Sequence, residues 1–111
     1  MNYIAHKAHQ PDTDIELHLK AGDRLKWSER PTPYTGWTWC KAPTGETGWV
    51  PNRWLEFYGD TCKLLKDYNS AELSIRPGDI LQGIITESGW LYASNEQHVK
   101  GWVPLECVEA R

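Results

Sequence analysis

Several things are scarce in this chain of 111 residues, and each scarcity removes a class of function. No stretch approaches the about 18 consecutive apolar residues that a membrane helix needs, so a membrane is not expected as a partner. The opening run Met1-Asn2-Tyr3-Ile4-Ala5-His6-Lys7 has no apolar block of the kind a secretory leader uses. The three cysteines, Cys40, Cys62 and Cys107, are odd in number and lack metal-site spacing. Free thiols in a reducing, cytoplasmic setting are expected. Positive charge is not in excess, for 12 Lys/Arg stand against 15 Asp/Glu and the net charge is −3. The counts balance up to Phe57, and acids outnumber bases from Tyr58 onward. A phosphate-binding surface needs a clustered basic face, so nucleic acid is not expected as a partner either.

Catalytic groupings are missing as well. The glycines stand at turns and form no phosphate-cradling loop. Asp12 and Asp14 are close carboxylates, but they lie in a loop without a companion base. His6 and His9 stand three apart with no further Cys or His at matching spacing, so no metal site is expected. Cys107 has no evident His partner and reads as a half-buried thiol. No enzyme activity and no cofactor are expected.

What the chain does have is tryptophan, seven residues against a single Phe and a single Met. An indole buries much area with few rotors to freeze, and its N–H favours half-wet surfaces where ligands sit. Seven exceed what a small core needs, so some should face outward.

An internal repeat organises these residues. Glu16-Leu17-His18-Leu19-Lys20-Ala21-Gly22-Asp23-Arg24-Leu25 matches Glu72-Leu73-Ser74-Ile75-Arg76-Pro77-Gly78-Asp79-Ile80-Leu81. Gly36-Trp37-Thr38-Trp39 then matches Gly89-Trp90-Leu91-Tyr92, and Gly48-Trp49-Val50-Pro51 matches Gly101-Trp102-Val103-Pro104. Three extra residues of the first copy fall between Leu25 and Trp37, where Pro and Thr mark a loop insertion. Two domains follow, residues 1–57 and 58–111, joined by a connection from Glu56 to Thr61 that is too short for a flexible tether.

Within each copy the pattern is of short strands and turns. Trp37-Thr38-Trp39-Cys40 alternates, placing Trp37 and Trp39 on one face and Thr38 and Cys40 on the other. Pro43-Thr44-Gly45-Glu46-Thr47 reads as a hairpin turn that returns as Gly48-Trp49-Val50. The same alternation assigns Leu19, Leu25, Val50, Ile75, Leu81 and Val103 to the core. Trp27, whose counterpart is Gly83, reads as a cover for the longer loop. The expected fold class is all-β, with two tandem five-stranded antiparallel barrels.

The ordered motifs Glu-Leu-x-Leu/Ile-x-x-Gly-Asp, Gly-Trp and Gly-Trp-Val-Pro, twice over, resemble the signature of Src-homology 3 (SH3) domains. The resemblance implies a small barrel whose aromatic groove binds proline-rich segments of partner proteins. Such segments are stiff and solvated beforehand, so binding them costs little entropy. In the first copy it implies Trp37, Pro51 and Trp54 as groove residues with Trp49 beside them, and Asp12, Asp14 and Glu16 as the acidic loop. The family's first-strand motif falls on Ala5-His6-Lys7-Ala8-His9, which leaves His9 as the single ring. In the second copy the motif falls on Leu64-Leu65-Lys66-Asp67-Tyr68 and keeps Tyr68. Trp90, Trp102, Pro104 and Glu72 complete that groove, with Cys107 replacing the late aromatic. The expected role is a non-enzymatic adaptor binding an extended peptide, better formed in the first domain. The alternative is a structural or oligomerisation module in which the degenerate grooves pack against each other or against a partner subunit.

Overall fold

The computed structural model describes residues 1–11, 16–31 and 35–111. Over these residues the chain is all β. Its strands are β1 (Asn2–Ala5), β2 (His18–Leu19), β3 (Arg24–Ser28), β4 (Trp37–Lys41), β5 (Thr47–Pro51) and β6 (Leu55–Tyr58). There follow β7 (Thr61–Leu64), β8 (Tyr68–Asn69), β9 (Ile80–Glu87), β10 (Trp90–Ser94), β11 (Lys100–Pro104) and β12 (Val108–Ala110). Single 3-10 turns, Asn52–Trp54 and Leu105–Cys107, precede β6 and β12. No helix among the described residues is long and apolar enough to cross a membrane.

Two antiparallel five-stranded sheets run in the orders β5-β4-β3-β7-β6 and β11-β10-β9-β1-β12, and β2 pairs with β8. Neither sheet closes on itself through these pairings. By contacts the chain divides into Thr13–Ser70 and a second unit of Met1–Asp12 with Ala71–Arg111. The expected boundary between residues 57 and 58 is thereby corrected. The first strand of each repeat lies in the sheet of the other.

The cause is local. Only Gly59 and Asp60 separate β6 from β7, and Tyr58 pairs with Thr61 across them. Gly59 takes φ 62° at the first central position, as a two-residue type II′ hairpin loop requires. Trp27 clamps this turn: its indole Nε1 donates to the Gly59 carbonyl at 2.8 Å, and its ring meets Phe57 edge-on at 5.3 Å. Trp27 therefore anchors the hairpin; residues 32–34 of the longer loop lie outside the described residues. So tight a hairpin forces β7 to lie beside β6 and to fill the place β1 would have taken. The matching place in the other sheet, between β9 and β12, falls to β1.

Side-chain sizes agree with the exchange. Tyr3 on β1 faces Leu81, and a Cβ added at Gly83 would lie 2.6 Å from the Tyr3 ring. In the other sheet Cys62 on β7 faces Leu25, and the repeat position of Gly83 holds Trp27. A large residue meets glycine in one sheet, and a small residue goes with tryptophan in the other. Unexchanged strands would crowd Tyr3 against Trp27 and leave a void between Cys62 and Gly83. Both errors cost stability in a close-packed core.

All six expected core residues, Leu19, Leu25, Val50, Ile75, Leu81 and Val103, are buried. Each contributes about 1.5–3 kcal/mol through loss of apolar surface to water.

Candidate functional site

In Thr13–Ser70 the site grows from the β4–β5 hairpin. Its register pairs Trp37 with Pro51 and Trp39 with Trp49, while Thr38 pairs with Val50 and Cys40 with Gly48. Direct cross-strand partners share a face, so the three tryptophans and Pro51 occupy the side opposite the buried Cys40 and Val50. Trp37, Trp39 and Trp49 are half-buried, and Pro51 is buried beneath them. Trp39 and Trp49 meet edge-to-face at 5.1 Å, and the Arg30 guanidinium lies 4.0 Å over the Trp39 ring.

Strand β8, which follows the exchanged β7, then supplies an aromatic wall. Leu19 pairs with Tyr68, which brings the phenol into this unit. The Tyr68 hydroxyl donates to the Trp49 carbonyl at 2.8 Å, and its ring meets Trp54 edge-on at 5.5 Å. Trp54 and Tyr68 are both buried. Lys66 Nζ sits 4.0 Å over the outer face of Trp54, so Trp54 serves as a backed and capped wall and presents no free ring.

Sequence reading had grouped Tyr68 with Trp90 and His9 with Trp37; the exchange reverses both assignments. Of the acidic loop, Asp12 and Asp14 lie outside the described residues. Glu16 is exposed, and its Oε2 lies 3.0 Å from His18 Nε2.

The unit of Met1–Asp12 with Ala71–Arg111 has a sparser version. Trp90 pairs with Pro104 and Tyr92 with Trp102. Trp90 is half-buried, whereas Trp102 and Pro104 are buried. His9 lies 5.7 Å from Trp90 with the rings near perpendicular, and its Nε2 lies 2.7 Å from Glu72 Oε1. The backbone of residues 71–73 runs along β11: Trp102 N donates to the Ala71 carbonyl, and Leu73 N to the Trp102 carbonyl, each at 3.0 Å. This contact seals the edge and explains the burial of Trp102.

Cys107 fills the position that carries Trp54 in the other repeat and is buried. Burial pushes its thiol above the ordinary range, with Glu106 adding to the shift and Lys7 opposing it. Cys40 and Cys62 are fully buried free thiols in the other unit and are likewise pushed up by burial. Among the described residues no group of three or more His, Cys, Asp or Glu is placed to hold a metal ion.

Sequence reasoning missed Arg30, Lys66 and the pairing of Trp39 with Trp49. The alternation of β4 had put Trp39 on the Trp37 face, which was the available signal. In comparisons with known proteins, no family model, curated protein or solved structure matches this chain.

Proposed function

We propose that the chain is a pair of SH3-type barrels with exchanged first strands, and that it is a non-catalytic module capturing an extended, proline-rich segment of a partner protein. The capturing face is the one in Thr13–Ser70. The observation supporting this reading is the composite aromatic face, in which Trp37 and Pro51 lie on the same hairpin face as Trp49, and Tyr68 and Trp54 form the backing wall. Half-buried indoles on rigid strands offer flat apolar ridges with fixed spacing. A polyproline II segment, with three residues per turn, lays successive prolines between such ridges. In this setting Cys40, Cys62 and Cys107 remain free thiols in a reducing compartment.

Each aromatic contact contributes about 0.5–1.5 kcal/mol beyond area burial. After the cost of association, a few such contacts leave an affinity on the order of micromolar. Titration of the full chain with proline-rich peptides, followed by indole N–H resonances, tests the reading. Saturable shifts of the Trp37 and Trp49 indole N–H resonances are expected, with the Trp49 shift lost in Trp37→Ala. Unchanged partner binding in Trp37→Ala sinks the groove assignment, and perturbation of Trp37 by self-association alone supports the oligomerisation role instead.

A further inference from the structure

The outer face of the β5-β4-β3-β7-β6 sheet carries more than the tryptophans. Register places Lys26 directly opposite Lys41, and Arg24 directly opposite Lys63. Ser28 faces Trp39, which in turn faces Trp49, so these four cations and two indoles share one side of four adjacent strands. Lys26, Lys41 and Arg24 are exposed, and Lys63 is half-buried. Arg30 adds a fifth cation over the Trp39 ring. Neither Lys26 nor Lys41 has an ion-pair partner among the described residues, and the single acid on this side of the strands is Glu56, at the β6 margin opposite Lys63.

Like charges directly opposite one another destabilise a sheet. The Lys26–Lys41 pair is such a local cost without a compensating contact among the described residues, whereas Arg24 lies 4.9 Å over the Tyr58 ring and Lys63 faces Glu56. The net charge of −3 conceals the patch, since acids such as Asp23, Glu46 and Asp60 stand at turns and not on this face. We infer that this face binds single-stranded nucleic acid, with phosphates against Lys26, Lys41, Arg24 and Lys63, one base stacked on Trp49 and another on the Arg30 guanidinium that lies over the Trp39 ring. An acidic peptide would satisfy the cations and leave the indoles idle. Bases use both, since every base has a π-face and stacking on aromatic side chains is sequence-tolerant. The narrow spacing of neighbouring strands, about 4.8 Å, also keeps the cations within reach of successive phosphates.

The test uses the full chain and fluorescence anisotropy with fluorescein-labelled single strands of a dozen nucleotides, as oligo-uridine and oligo-thymidine arms. Three or four phosphate contacts predict an affinity that falls about 20- to 50-fold between about 50 and 200 mM salt. Lys26→Gln with Lys41→Gln is expected to weaken binding about tenfold while leaving proline-rich peptide binding within about twofold. Trp39→Ala is expected to weaken binding about fivefold or more. Removing the opposed cations should raise the melting temperature, so lost binding in the double variant would not reflect unfolding. The inference is overturned if neither arm shows saturable binding at low salt, if the double variant binds as the native chain does, or if an oligoglutamate of equal length binds as tightly.

Discussion

Tyr68 joins a hydrogen bond to a ring contact, and the two can be separated experimentally. Its hydroxyl donates to the Trp49 carbonyl at 2.8 Å, and its ring backs Trp54 at 5.5 Å. Tyr68→Phe keeps the ring and leaves the carbonyl without this donor, so denaturant unfolding should show a loss of about 0.5–1.5 kcal/mol. Tyr68→Ala removes the wall and should cost about 3–5 kcal/mol. The thiols make a pH prediction. Cys40 and Cys62 are held protonated by burial, with folded values above the ordinary 9.0. A raised value in the folded state means stability is fully present below pH 9 and is lost as pH rises and the unfolded thiols ionise. Urea midpoints measured from neutral to strongly alkaline pH should therefore decline above pH 9, and Cys62→Ala should flatten that decline.

At the scale of elements, the deciding feature is the β6–β7 hairpin with its Gly59 turn. Trp27→Phe retains the contact with Phe57 and deletes the indole bond to the Gly59 carbonyl, for an expected loss of about 0.5–1.5 kcal/mol. Close backbone approaches make a second test. A Cβ at Gly101 would lie 2.9 Å from the Leu73 backbone nitrogen, whereas one at Gly48 would meet only the Leu17 side chain. Gly101→Ala should therefore cost about 1–3 kcal/mol by chemical denaturation and Gly48→Ala distinctly less, because a side chain yields where backbone does not. The strands, the turns and the six core positions were legible in the repeat and in its alternation. The exchange was not. Matching Ala5–His9 with Leu64–Tyr68 identifies equivalent segments but is silent on which sheet each enters. The signal was present in Phe57-Tyr58-Gly59-Asp60-Thr61-Cys62, an apolar run broken by Gly-Asp, which reads as a hairpin as readily as a linker. The cationic face escaped for a different reason. Lys26 and Lys41, and likewise Arg24 and Lys63, meet only through strand register, which a count of charges does not contain.

For the whole molecule, the exchange changes what an independent unit is. All five strands of the β5-β4-β3-β7-β6 sheet lie within residues 24–64, so a fragment of residues 13–70 should fold cooperatively and show dispersed amide resonances. A fragment of residues 1–57 keeps β3 to β6, loses β7 and Tyr68, and should remain unfolded. Residues 58–111 alone lack β1, which lies between β9 and β12, and should fail likewise. The same topology makes the aromatic face in Thr13–Ser70 a joint product of both repeats, with Trp37 from one and Tyr68 from the other. Side-chain NOE spectroscopy of the full chain tests this most directly. Cross-peaks between the Tyr68 ring and the Trp54 indole, and between the Tyr3 ring and the Gly83 α-protons, are predicted. Cross-peaks from Tyr68 to Trp90 and from Tyr3 to Trp27 would contradict the account, since each repeat would then have kept its own first strand.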